Sequence, residues 1–266
     1  MFAETINAVG KVIGMDISGV VEKVGGSVTN LSVGDEVYAY TADLLGGWAE
    51  YAVTDEEAAY LKPSNLSFEE SAALPSTVLT ALGAIRFADI KEGAEVLVNG
   101  ASGGVGLYLV QILKVFGAEV TGVCSTRNAE IARKFGVDTV IDYKKEKFPE
   151  TESAYDAVFA VNGYQPLDVY KKLLKPGGVY VLVGGTENAM EVQKSGDETF
   201  KDSGKRLERT IFAKIVKDFP YIKELCESGK LKPYIDKIYP VADVSLAIRH
   251  SIIEHAQGKI AITVDF

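Results

Sequence analysis

The chain has 266 residues, enough for one large or two medium domains, and its 47% hydrophobic and 24% charged composition excludes wholesale disorder. A formal net charge of -9 repels phosphate backbones, so no nucleic-acid partner is expected. The two cysteines, Cys124 and Cys226, form no C-x-x-C pair and cannot build a disulfide framework; they read as reduced, buried apolar groups of an intracellular protein. Residues 1–12 lack the basic-then-apolar order of a secretory signal, and Gly, Lys or Asp interrupts every apolar run before membrane-spanning length. The expectation is a cytoplasmic protein without a membrane partner.

Residues 17–53 read as short strands between glycine turns. Val20, Val21 and Val24 precede Gly25-Gly26, Gly34-Asp35 precedes a strand at Glu36–Tyr40, and 48–53 is a further aromatic and β-branched run. Ser67-Phe68-Glu69-Glu70 fits a capping box and starts a helix, which Pro75 breaks before a second helix over 76–88. From Glu95 onward strands and helices alternate. Strands are predicted at 95–99, 119–124, 139–141, 155–161 and 179–183, with helices at 105–116, 128–135 and 167–174 between them. Gly117 and Gly136 are placed as helix stops. Nearly continuous apolar strands in this alternation indicate a parallel sheet covered on both faces. The polar stretch 186–209 is expected to be a mobile surface segment. Helices at 221–227 and 243–256, with Gly258 ending the second, and a closing strand at 260–266 complete the chain.

Ala101, Gly103 and Gly106 have the spacing of G-x-G-x-x-G, with alanine in first place. Such a spacing is weak alone. Here a predicted strand leads in and a predicted helix leads out, which is the arrangement that lets backbone approach a pyrophosphate at a helix N-terminus. The plain alternative, a glycine turn that merely packs helix on strand, fits the surrounding alternation less well. About 20 residues on, where an acid would hold the ribose hydroxyls of NAD, stand Ser125, Thr126 and Arg127. Arginine and hydroxyls suit a 2′-phosphate, so NADPH is expected over NADH, the alternative being a solvated helix-start arginine. His250 and His255 are five residues apart and do not share a helix face, and no Cys or His clusters with them. No zinc site is therefore expected, and both read as partly exposed helix residues. No nucleophile elbow or Cys/His arrangement is present, and Ser102 suits a phosphate contact better than nucleophilic attack.

Gly93-Ala94-Glu95-Val96-Leu97-Val98-Asn99-Gly100-Ala101-Ser102-Gly103-Gly104-Val105-Gly106, followed by Gln111 and Lys114, closely resembles the signature of the quinone oxidoreductases. These are zinc-free members of the medium-chain dehydrogenase/reductase superfamily. The resemblance extends from Gly14 to Phe266, through Gly14-Met15-Asp16-Ile17-Ser18-Gly19, Val33-Gly34-Asp35-Glu36-Val37-Tyr38, Leu74-Pro75, Leu79-Thr80-Ala81, Gly229-Lys230-Leu231-Lys232-Pro233 and His255-Ala256-Gln257-Gly258-Lys259-Ile260. It implies an α/β fold: a doubly wound Rossmann sheet plus a GroES-like β-rich catalytic domain made from both chain ends. The corresponding division is 1–80, 81–215 and 216–266.

The resemblance further implies hydride transfer from NADPH to a quinone or an α,β-unsaturated carbonyl, as in enoyl reductases. Residue by residue, Thr80 would lie near the pyrophosphate or nicotinamide. Ala101, Ser102, Gly103, Gly104, Val105 and Gly106 would hold the phosphates. Ser125, Thr126 and Arg127 would meet the 2′-phosphate, with Tyr143 on the adenosine side. Asn162, Gly184 and Gly185 would line the nicotinamide path, and Lys259 would approach the cofactor. Met15 stands where zinc-dependent relatives carry a histidine ligand. The family's opening strands and pocket residues find no match in 1–13, so the GroES-like part is expected to be incomplete and no catalytic residue is assigned. A homodimer is implied, although the short 186–209 segment argues against the usual dimer edge. Two functions stay open: an NADPH-dependent reductase, or a non-catalytic NADPH-binding remnant or sensor.

Overall fold

In the computed structural model, which describes residues 12–41, 46–210, 216–253 and 256–264, the chain divides into two units. One is formed by Thr80–Ala213, the other by Phe2–Leu79 with Lys214–Phe266.

The unit made from both chain ends starts with an antiparallel sheet of β1 (Asp16–Val20), β2 (Glu36–Tyr40) and β3 (Ala59–Leu61), in the order β1-β2-β3. The apolar run 48–53 is not a strand. Backbone bonds in this region run from Gly46, Gly47 and Trp48 to Val12, Gly14 and Ile13, and Tyr51 and Val53 stand exposed. A β-prone composition makes a strand only where a neighbour completes the ladder. The third strand forms instead at Ala59–Leu61, behind a 3-10 turn at Glu56–Ala58. Helix α1 (Phe68–Ala72) carries both hydrogen bonds of the capping box between Ser67 and Glu70, a device worth about 1 kcal/mol. Helix α2 (Pro75–Ala88) begins with its proline, where the missing N–H costs nothing.

The other unit holds a six-stranded, all-parallel sheet. Its strands are β4 (Glu95–Asn99), β5 (Glu119–Cys124), β6 (Thr139–Asp142), β7 (Tyr155–Ala160), β8 (Leu174–Leu182) and β9 (Arg206–Arg209), in the order β6-β5-β4-β7-β8-β9. Helices α3 (Gly104–Val115), α4 (Ala129–Lys134), α5 (Leu167–Leu173) and α6 (Thr186–Phe200) connect them. Strand β8 begins five residues before the predicted 179–183. It pairs with β7 at Leu174, loses register across the Lys175–Gly178 stretch, and resumes at Val179.

The larger difference lies at 186–209, expected as a mobile segment. It folds as α6 and the edge strand β9. Asn188, Val192, Gly196 and Phe200 recur every four residues and form the buried face of α6. Val192 and Phe200 join a core with Leu97, Val158, Tyr170 and Tyr180. The many charges of this stretch sit on the other face and hide that stripe in any reading by composition.

The chain then returns to the first unit with α7 (Phe219–Glu227), the unforeseen β10 (Ile235–Pro240), α8 (Val244–Ile253) and β11 (Lys259–Thr263), which pairs parallel to β10. His250 is not partly exposed as expected. It is buried, with Nδ1 3.1 Å from Tyr239 Oη and Nε2 3.1 Å from the Asp236 carboxylate. His255 lies outside the described residues. In the same unit Tyr38 is wholly buried, stacks edge-on against Phe219 at 4.9 Å and donates its hydroxyl to Phe219 O at 2.9 Å.

Candidate functional site

The parallel sheet reverses its winding between β4 and β7, which are neighbours in space but not in sequence. In open α/β sheets the crevice at the carboxyl ends of such strands is where ligands bind. The glycine loop lies there, directly after β4.

Gly106 is buried in the first turn of α3, and a Cβ on it would lie 2.1 Å from Gly100 O. Only glycine lets α3 start this close to the end of β4. Gly103 differs: a Cβ there would find its nearest neighbour, Gly100 O, 3.9 Å away. The space above Gly103 is open, and Gly103 is the N-cap of α3 with no side-chain cap and no acid in the first turn. Open space over uncapped N–H groups suits an anion such as a pyrophosphate. Ala101 is wholly buried; Gly122 beneath it has no room for a Cβ, which would lie 2.9 Å from the alanine methyl. Ala101 can therefore serve a ligand through its backbone only. Ser102 accepts a hydrogen bond from Asn128 Nδ2 at 2.9 Å, which leaves the serine hydroxyl free to donate elsewhere.

Ser125 precedes a 3-10 turn at Thr126–Asn128, after β5, and Thr126 and Arg127 are exposed. Asp142, at the end of the adjacent β6, accepts the Thr126 hydroxyl at 2.5 Å and the Lys144 N–H at 3.0 Å, and it lies 3.5 Å from Lys145 Nζ. The Thr126 hydrogen bond, with the Lys144 and Lys145 contacts, holds the Asp142 carboxyl below the usual range. An acid thus stands beside the segment where the sequence reading found none, because it arrives from the next strand. Tyr143 is exposed, with Lys144 Nζ 5.3 Å from its ring centroid.

Asn162 and Gly163 follow β7, and Gly184 and Gly185 follow β8. A Cβ on Gly100 would lie 2.7 Å from Asn162 N, and one on Gly184 would lie 2.7 Å from Val161 O. The three loops at this edge are therefore stacked at backbone distance. Thr80 is buried in α2 as the first residue of this unit. Lys259 belongs to the other unit, where its Nζ lies 3.5 Å from Asp16 Oδ2; the same carboxylate takes the Ser76 N–H at 2.8 Å and the Ser76 hydroxyl at 2.5 Å. Met15 Sδ is 3.9 Å from Tyr40 Oη. Among the described residues, no three His, Cys, Asp or Glu side chains gather as a metal site would require. Burial pushes the Cys124 thiol up to about 11 and the Cys226 thiol to about 12. Asn99, Asn128, Asp142 and Asn188 were missed by the sequence reading; the one signal for Asn99 was an amide closing an otherwise apolar strand.

Residues 2–64 match the alcohol dehydrogenase GroES-like domain, a match that takes in 2–13, where no counterpart in the family was expected, and 135–262 match the zinc-binding dehydrogenase family. The chain is 34% identical over 258 residues to a chloroplast envelope quinone oxidoreductase homolog of Arabidopsis thaliana, covering 93% of this chain and 78% of that protein. It belongs to the quinone oxidoreductase-like family of the medium-chain dehydrogenase/reductase superfamily. An NADPH-dependent alkenal/one oxidoreductase of the same plant is 33% identical over 273 residues. That match takes in 98% of this chain but 66% of the plant protein, so the chain spans just under two thirds of that relative. The structure of the quinone oxidoreductase from Coxiella burnetii superposes with a TM-score of 0.84 at 28% identity, covering 95% of this chain and 79% of that one. The parallel sheet is thus the Rossmann domain of this family, and the β-rich unit its GroES-like domain. Among the described residues, no helix is long and apolar enough to cross a membrane.

Proposed function

We propose that the chain binds NADPH at the carboxyl edge of the parallel sheet and serves a zinc-independent reduction of quinones or α,β-unsaturated carbonyls. The observation that carries the reading is the loop over α3: Gly106 admits the helix against Gly100 O, and Gly103 leaves open space above uncapped N–H groups. The backbone of Gly103, Gly104 and Val105 and the hydroxyl of Ser102 would hold the pyrophosphate. Arg127 and Ser125 would hold the 2′-phosphate. Thr126 directs its proton to Asp142 and so has none to offer a phosphate oxygen. Asn162, Gly184 and Gly185 would border the nicotinamide, and the protein's part is to orient that ring and exclude water. The dinucleotide, when bound, supplies the hydride. The substrate class rests on the relatives, two of which are an alkenal/one oxidoreductase and a 2-methylene-furan-3-one reductase. Zinc independence is supported by Met15, a thioether engaged by Tyr40.

The test is a fluorescence titration with NADPH and with NADH, followed by addition of an enone and of a quinone, with and without a chelator. Tighter binding of NADPH and chelator-resistant oxidation are expected. Failure to bind either nucleotide overturns the reading.

A further inference from the structure

One carbonyl at the winding reversal receives an unusual concentration of donors. Gly163 O accepts from Asn188 Nδ2 at 2.8 Å and from Asn99 Nδ2 at 3.1 Å, with Tyr170 Oη at 3.4 Å. Asn99 also reaches Tyr170 Oη at 2.7 Å. The donors come from three elements: Asn99 from the end of β4, Tyr170 from α5, and Asn188 from the first turn of α6. Asn188 Nδ2 is also 3.4 Å from Gly184 O. One amide thereby links the loop after β7 to the loop after β8.

The adjoining turns are shaped around these amides. Gly163 has φ +91°, and a Cβ on it would lie 3.2 Å from Asn99 Oδ1. Gly185 has φ +87°, and a Cβ there would lie 2.8 Å from Asn188 Nδ2. Asn188 is 2% exposed, yet among the described residues its Oδ1 finds no hydrogen-bond partner. Turning the amide over would set that oxygen against the carbonyls of Gly163 and Gly184, so the orientation is forced. A buried acceptor without a partner is a cost that an apolar residue of the same shape would avoid. Packing alone does not account for an asparagine here.

We infer that Asn188 is a positioning residue: through Gly163 O and Gly184 O it holds the exposed 162–164 turn and the Gly184-Gly185 turn in the form that receives the nicotinamide half of the dinucleotide. The inference rests on the function proposed above.

The experiment compares wild type with Asn188→Leu and Asn188→Ala. Ligands are NADPH and adenosine 2′,5′-bisphosphate, which has the adenosine end but no nicotinamide; melting temperature is read alongside. Leucine keeps the bulk and removes both the donor and the orphaned oxygen, so Asn188→Leu is expected to melt no lower than wild type. Its dissociation constant for NADPH should rise about tenfold, with that for the bisphosphate within about twofold. An NADPH affinity unchanged in Asn188→Leu overturns the inference. Equal weakening of both ligands in both variants also overturns it, by showing a merely structural role. A wild type that binds neither ligand overturns the dinucleotide reading itself, a result distinguishable from the other two.

Discussion

Thr126 Oγ1 donates to Asp142 Oδ2 at 2.5 Å, joining the turn after β5 to the end of β6. The carboxylate is therefore occupied by a hydroxyl, a backbone N–H and a lysine rather than facing a ligand alone. Arg127→Ala is expected to weaken NADPH binding about tenfold, the loss of one charge-assisted hydrogen bond, and to leave NADH binding unchanged. Asp142→Asn should shift the ratio the other way by removing a negative charge beside the site proposed for the 2′-phosphate. Parallel titrations with the two nucleotides check both, and an unaltered ratio in either variant refutes its part.

Alanine normally improves a helix relative to glycine by about 1 kcal/mol. At Gly106 the sign reverses, because the added methyl would meet Gly100 O at 2.1 Å and neither backbone can retreat without moving β4 or α3. Gly106→Ala should lower the denaturation midpoint and abolish nucleotide binding together. Gly103→Ala, with open space around its Cβ, should keep the fold and lose nucleotide affinity.

Phe200 closes the buried stripe of α6 and lies 5.9 Å from the Tyr180 ring. Phe200→Ala should cost about 3–5 kcal/mol in urea unfolding. A loss near zero would mean that α6 does not pack on the sheet.

Both thiols are raised by burial, Cys124 to about 11 and Cys226 to about 12. At pH 8 the reactive thiolate is then on the order of one part in a thousand or less. Native protein should react with a disulfide reagent only as fast as it opens, and urea should release two thiols at once.

Glu227 has its carboxyl lowered to about 2, chiefly by Lys223 and then by the N–H and hydroxyl of Ser64. A depressed carboxylate contributes its stability above the ordinary value of 4.5 and loses it as pH falls towards 2. Glu227→Gln should flatten the acid limb of the stability profile between those values and leave it unchanged in shape above pH 6.

The alternating part of the fold was legible because each strand from β4 to β8 contains a short apolar run and several of its helices end at a glycine. Gly117 and Gly136 do adopt positive φ, +78° and +108°. What escaped was written in longer relations. The α6 stripe is four residues of mixed chemistry among charges. Strands β9 and β10 carry charged, largely unburied residues and depend on partners far along the chain. The same holds at the site. The glycine loop is local and was readable, whereas Asp142 meets Thr126 across 16 residues and Asn188 meets Gly163 across 25. Only the sheet brings them together.

Tyr38 and Phe219 are separated by 181 residues, and Ser64 and Glu227 by 163. On a ribosome adding roughly 5–20 residues per second, Tyr38 waits about 10–35 s before its acceptor has been made. Strands β1 to β3 are thus exported into solution with an unfinished apolar face, while every strand of the parallel sheet emerges in the interval. The nucleotide-type unit is placed to assemble first, and the segment from α7 to β11 arrives as the closing piece of a unit begun much earlier. Truncation shortly before Phe219 should therefore harm the older half of the chain more than the part adjoining the cut.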